Sequence, residues 1–216
     1  MTPPTPTPIL RFIHVDNLAV CLRRGGLHAP NHFPMDGLNY RAAHNVDLQA
    51  ARGHTAILCG PRGTIHDYVP FYFGVLSPML LKLKTGQVEG YAKGQGPLVY
   101  LVSTAQAVEM SGTGFVFSDG HGYVAYTKWF DSLEMLSEVD WKAVASRYWG
   151  GQNDPTGELK RRKQAEFLVH RFCDWSLIQE IAVINEEMKA RVESVQEGFP
   201  EPLRRVVNVK REWYYS

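Results

Sequence analysis

The stretch Arg161-Arg162-Lys163-Gln164-Ala165-Glu166-Phe167-Leu168-Val169 sets the reading of the chain. An apolar run opens at Phe167, directly behind Gln164 and Glu166. Side chains alternate along a strand, so Gln164 and Glu166 are expected on one face and Ala165 on the other. The cations just upstream put positive charge beside the carboxylate. Alone, the segment reads two ways: a carboxylate displayed for chemistry, or a strand end with a solvated charge cluster.

Working outward, 216 residues suit one domain with a substantial core, and 44% hydrophobic and 12% aromatic content indicate a globular chain. A net charge of +1 means that a polyanionic partner must be met by a local patch. Cys21, Cys59 and Cys173 are odd in number, widely spaced and in no Cys-x-x-Cys arrangement. That argues against a disulfide framework or a cysteine zinc site and fits a reducing compartment. Residues 1–8 form a proline-rich lead without the charged and apolar regions of a signal peptide. No apolar run approaches the ~20 residues of a membrane helix. The expectation is a cytoplasmic protein with one domain over residues 9–216.

The local patterns alternate between strands and short helices. Ile9 to Val15 reads as a strand, and Asp16 as the N-cap of a helix ended by Gly25-Gly26. Residues 27–44 read as loop, and Val46 to Arg52 as helix. Val69 to Phe73 is strand-like, with Pro70 confining it to an edge or a strand start. Ser77-Pro78-Met79 opens a short helix. Pro97 to Val102 and Phe115 to Phe117 are strands, with a small helix between them ending at Met110. Tyr123 to Trp149 reads as helical and aromatic, Gly150 to Lys163 as a basic loop. Glu166 to Phe172, Ile178 to Ile184 and Val206 to Val209 are strands, with a charged helix at Asn185 to Glu197. Without a regular βαβα beat, the order favours an α+β fold.

Several segments together carry a resemblance: His14-Val15-Asp16-Asn17-Leu18, His66 to Phe73 with Ser77-Pro78-Met79, Ser103 to Val108, Phe115 to Asp119, Arg162 to Leu168, and Glu212-Trp213-Tyr214-Tyr215. In this order and spacing the chain resembles the DarT family of DNA ADP-ribosyltransferase toxins. The resemblance implies an ADP-ribosyltransferase fold, two small packed sheets with an NAD cleft between them. It implies transfer of ADP-ribose from NAD to a base in single-stranded DNA, with thymine expected and guanine as the alternative. A catalytically dead single-strand-binding module is the reading from another class. It also implies a toxin role, a macrodomain-type antitoxin as partner, and NAD as co-substrate with no metal.

Residue by residue, Glu166 matches the catalytic glutamate, suited to stabilising positive charge at the ribose and to taking a proton from the acceptor base. Arg52 falls where the family has an arginine acting on the phosphates and the transferred ribose; otherwise it is a solvated helix-end cation. His14 is the expected ribose anchor, with Asn17 beside it in the NAD site. Arg11 stands where relatives usually have a histidine. Tyr40, in the loop 28–44, either stacks on a ring of NAD or is an ordinary loop aromatic. Met79 is either a pocket residue or core filler. Tyr68, Phe71, Tyr72 and Phe73 read as core and cleft wall. For DNA, Tyr148 and Trp149 supply aromatic faces and Lys160, Arg161, Arg162 and Lys163 supply cations. His121 is placed to touch the base and Gln164 to orient it.

Overall fold

The main sheet is continuous in hydrogen bonding yet divided in two. The computed structural model describes residues 1–41 and 46–216. Its strands are β1 (Pro8–His14), β2 (Gly26–His28), β3 (Ala56–Ile57), β4 (Gly63–Thr64), β5 (Tyr68–Tyr72) and β6 (Leu98–Thr104). They continue as β7 (Phe115–Ser118), β8 (Trp129–Phe130), β9 (Glu166–His170), β10 (Phe172–Asp174), β11 (Glu180–Val183) and β12 (Val206–Val209). The large sheet runs β12-β11-β6-β1-β5-β9-β7-β8, and β10-β2 and β3-β4 are small ribbons.

Most of its ladders are long. β1 pairs β6 from Pro8↔Thr104 to His14↔Leu98, and β5 pairs β9 from Tyr68↔His170 to Tyr72↔Glu166. Between β1 and β5 there is a single register pair, Leu10↔Tyr72. Pro70 accounts for the gap. The N–H and C=O of one strand residue point to the same side, and the Pro70 carbonyl faces β1, where Arg11 Nη1 donates to it at 2.8 Å. The nitrogen beside it carries no hydrogen, so no ladder forms there. The two expected sheets are therefore the halves β12-β11-β6-β1 and β5-β9-β7-β8, joined at one pair. Pattern alone puts Pro70 at an edge or strand start. It lies instead within an interior strand, and its bare nitrogen faces the seam.

The helices are α1 (Leu18–Arg23), α2 (Val46–His54), α3 (Pro78–Lys84), α4 (Ala105–Met110), α5 (Trp141–Ala145), α6 (Glu158–Lys163) and α7 (Glu186–Glu197). One face of the sheet buries Leu18, Leu22, Val192 and Trp175 against Phe71, Phe117 and Phe167. The other gathers Leu80, Leu83, Tyr100 and Tyr214. Each such large apolar side chain contributes about 1.5–3 kcal/mol by leaving water. Cys21 and Cys173 lie in the first cluster, and burial pushes both thiols up to about 12. All three cysteines are free.

Three local expectations need correction. The chain does not cap its first helix with Asp16: the His14 ring accepts Asp16 N at 3.2 Å, while the Asp16 carboxylate pairs with Arg191 at 2.7 Å. Residues 123–149 are not one helix. Ser132 and Asp140 each cap a new short turn, and Trp129 is drawn into β8 against Ser118. Residues 150–163 are not all loop, because the Asp154 carboxylate accepts Leu159 N at 3.0 Å and Lys160 N at 2.8 Å and so starts α6.

Candidate active site

Glu166 is the first residue of β9 and has no exposed surface. Its backbone N–H donates to Ser118 Oγ at 3.0 Å, and that hydroxyl donates to the Gly120 carbonyl at 2.6 Å. This ties the head of β9 to the turn after β7. The turn in its own right holds the carboxylate through Gly122 N, which donates to Glu166 Oε1 at 3.0 Å. Arg52, from α2, closes the arrangement: Nη1 meets Oε1 at 2.9 Å and Nη2 meets Oε2 at 2.7 Å. Burial alone would raise the carboxyl, but the guanidinium, with His121 and the Gly122 N–H assisting, holds it below the ordinary range. Burial likewise works against the charge of Arg52, and Glu166 more than offsets it. Fork geometry of this kind is what arginine provides and lysine does not.

The pair sits beside a cavity of about 900 Å³ lined from both half-sheets, including Arg11 and His14 of β1 and Pro70 and Tyr72 of β5. His14 is buried, and its Nδ1 is occupied by Asp16 N. That leaves Nε2 as the hydrogen-bearing nitrogen, buried and without a partner. Burial lowers its basicity, partly opposed by Asp16, so the ring is neutral at pH 7. An orphaned donor in a cavity of this size, with Arg52, Lys82 and Lys160 on its walls, fits a sugar hydroxyl beside a diphosphate. Arg11 acts structurally, its Nη1 spanning the seam to Pro70, while its buried Nε has no partner.

Asn17 lines the same cavity, and both polar atoms of its amide reach the loop. Oδ1 accepts Arg41 N at 2.7 Å and Nδ2 donates to Arg41 O at 2.8 Å. Asn17 therefore holds residues 27–41 over the cavity, helped by the Arg24–Asp36 fork at 2.7 Å. Positions 42–44 of the expected loop lie outside the described residues. Tyr40 stands edge-on to Phe33 at 5.3 Å and lines the cavity, as does Met79 of α3.

The DNA-facing candidates divide. His121 is buried near Glu166, its Nδ1 accepts Tyr123 N at 3.2 Å, and burial lowers its basicity. Lys160 is exposed at the cavity rim, 5.9 Å from the Trp149 ring, and Tyr148 is exposed. Arg162 is exposed but bound to Glu158 and Asp140. Arg161 and Lys163 depart from the expected basic surface. Arg161 is buried in ion pairs with Glu158 and Asp119, and Lys163 donates to Val75 O and Val144 O, both at 2.8 Å. Side chains two residues apart on a helix point to different sides, and Arg161 and Lys163 are buried by different neighbours, the first by Asp119 and Glu158 and the second by the Val75 and Val144 carbonyls. Gln164 also departs from expectation: it caps α6, donating to Lys160 O, and does not share a strand face with Glu166. It still lines the cavity.

Sequence alone assigns no role to Ser118 or Gly122 and marks Tyr72 only as cleft wall. Tyr72 is the register partner of Glu166, a relation set by strand pairing between distant segments. Gly122 has a visible signal in the sequence Gly120-His121-Gly122: a Cβ there would lie 2.8 Å from the Trp129 ring and 3.2 Å from Glu166 Oε1. Among the described residues, no group of three or more His, Cys, Asp or Glu side chains is placed to hold a metal.

A glutamate heading the second strand from a seam between half-sheets, forked by an arginine beside a ligand-sized cavity, places this chain among the ADP-ribosyltransferases. Comparison with known proteins narrows the class. The family model described as "ssDNA thymidine ADP-ribosyltransferase, DarT" matches residues 10–215, and the chain belongs to the DarT family. A DNA ADP-ribosyl transferase of Thermus sp. (strain 2.9) is 42% identical over 99% of both chains. One from Escherichia coli O127:H6 is 34% identical over 96% of this chain and 93% of its own. The structure of Thermus sp. 2.9 DarT in complex with ADP-ribosylated ssDNA matches with a TM-score of 0.93 at 41% identity, covering 100% of this chain and 99% of that one. The same protein in complex with NAD+ matches with a TM-score of 0.87 at 40% identity, covering 99% of this chain and 100% of that one.

Proposed function

We propose that this protein transfers ADP-ribose from NAD to thymine in single-stranded DNA and acts as a toxin in the cytoplasm, with a macrodomain-type antitoxin as partner. The observation that carries this reading is the buried Glu166–Arg52 fork beside a cavity with the orphaned His14 Nε2. No described helix is long and apolar enough to cross a membrane.

The chemistry follows from competition for Arg52. While the fork is closed, Glu166 is a poor proton acceptor, because its charge is neutralised by the guanidinium. A phosphate in the cavity is an equally good bidentate partner for Arg52. As Arg52 turns toward it, Glu166 loses its strongest contact and its basicity rises. The freed carboxylate then stands against the positive charge that develops on the ribose as its bond to nicotinamide breaks, and it accepts the proton that the base loses when its ring nitrogen bonds to that ribose carbon, neutral nicotinamide leaving. His14 donates to a ribose hydroxyl through Nε2. A base buried in a duplex cannot reach a carboxylate this deep, so unstacked single strands are the economical substrate.

Mass spectrometry of mixed-sequence single-stranded oligonucleotides incubated with NAD tests the reading, with Glu166→Ala alongside. An adduct that vanishes in the variant is the expected result, and fragmentation assigns the base. Intact oligonucleotides and intact NAD would refute it.

A further inference from the structure

The C-terminal segment closes onto the rear of the loop carrying Trp149. Gln95 holds the backbone of Tyr215 as a strand partner would: its Oε1 accepts Tyr215 N at 3.0 Å and its Nε2 donates to Tyr215 O at 2.5 Å. This aims the Tyr215 hydroxyl at the turn after β5, where it donates to the Leu76 carbonyl and lies 3.3 Å from Ser77 O. Trp149 Nε1 reaches the same Leu76 carbonyl at 3.1 Å and the Tyr215 hydroxyl at 3.1 Å. Leu76 has a φ of +55°, a conformation that a branched side chain keeps only where its surroundings over-determine it. Hydroxyl, indole N–H and carbonyl form a closed triangle around that strained turn.

Trp149 lies half-buried at the edge of the site, with Lys160 over its ring at 5.9 Å. With both partners of its N–H inside the protein, the indole has no donor left for a base edge. What it offers outward is a π-face beside a cation, the pairing that holds single strands with little regard to sequence.

We propose that Tyr215 is a positioning residue for single-stranded DNA, fixing through its hydroxyl the Trp149 ring on which a base stacks beside Lys160. This rests on the reading of the chain as a single-stranded-DNA transferase. Stabilisation of the fold alone would not separate DNA affinity from turnover; fixing a stacking platform does.

The test is Tyr215→Phe, which keeps the ring and removes the hydroxyl. Binding of a fluorescein-labelled single-stranded oligonucleotide is followed by anisotropy, and transfer kinetics are measured with DNA and NAD varied separately. The expected result is a weakening of oligonucleotide binding and a rise in KM for DNA of roughly three- to ten-fold, the scale of one lost hydrogen bond. Turnover at saturating DNA and KM for NAD should stay unchanged. Trp149→Phe, which lacks the N–H but still stacks, should shift the same parameters, and the double variant should add nothing; it carries the test if Tyr215→Phe folds poorly. Unchanged oligonucleotide affinity in Tyr215→Phe, or a fall in turnover and NAD affinity alongside it, would overturn the proposal. Absence of oligonucleotide binding by the unmodified protein would overturn the DNA reading itself, and this inference with it.

Discussion

Arg52 and Glu166, 114 positions apart, meet in a two-point contact in which the carboxylate is wholly buried and the guanidinium nearly so. Such a pair costs more to break than it gains over an apolar replacement. Arg52→Ala should therefore lose about 3–5 kcal/mol of stability. The double variant Arg52→Met with Glu166→Gln should recover much of that loss yet transfer nothing. Urea unfolding of the single and double variants, with adduct formation measured in parallel, checks both parts. A double variant less stable than Arg52→Ala would refute this account of the pair.

Gly122→Ala forces a Cβ against the Trp129 ring and Glu166 Oε1. The turn must shift, and the Gly122 N–H leaves the carboxylate. A drop in single-turnover rate of about ten-fold or more is expected, with NAD binding retained, since displacing a reacting group by about 1 Å costs at least that. A rate equal to that of the unmodified protein would show that this N–H has no part in the step.

The pH profile should stay flat as pH falls through the free-imidazole value. His14 and His121 are both buried, and both titrate below the ordinary imidazole value of about 6.5. Their neutral forms, which accept Asp16 N and Tyr123 N, thus persist as pH falls through 6.5, and activity declines only below it. A midpoint at or above the free-imidazole value, measured as kcat/KM against pH, contradicts this assignment.

Lys163 makes stability depend on pH in the alkaline range. Burial lowers its pKa to about 8 from 10.5 in the unfolded chain. Between those values the unfolded chain holds the proton that the folded chain has released, so stability rises with pH, by up to about 1.4 kcal/mol per unit. Lys163→Met removes this slope. Because the variant keeps every tyrosine, the difference between the two unfolding curves isolates the lysine.

The elements legible in the sequence are those fixed by neighbours in the chain. The continuous apolar run of β6, the Ser77-Pro78 start of α3 and the long helix α7 appear where local pattern puts them. What stays hidden depends on partners remote in sequence. No pattern near Lys163 announces that Val75 and Val144 carbonyls will claim it, and the alternation that puts Gln164 beside Glu166 fails because α6 runs up to the strand. His14 and Glu166 stand within the family segments and Arg52 only in a region between two of them; the mutual geometry of the three is legible in none.

Pro70 keeps the two half-sheets from closing on each other beside the cavity. Tyr68 and Tyr72 turn their backbone to the same side as Pro70, and a continuous ladder there would draw β1 and β5 to the ~4.8 Å spacing of ordinary sheet neighbours. The imide nitrogen denies that closure where Pro70 and Arg11 line the cavity, and Arg11 spans the gap with a side chain instead. The width of the seam is thus set by one missing hydrogen atom, and the strand that carries Glu166, on the opposite flank of β5, keeps its full pairing.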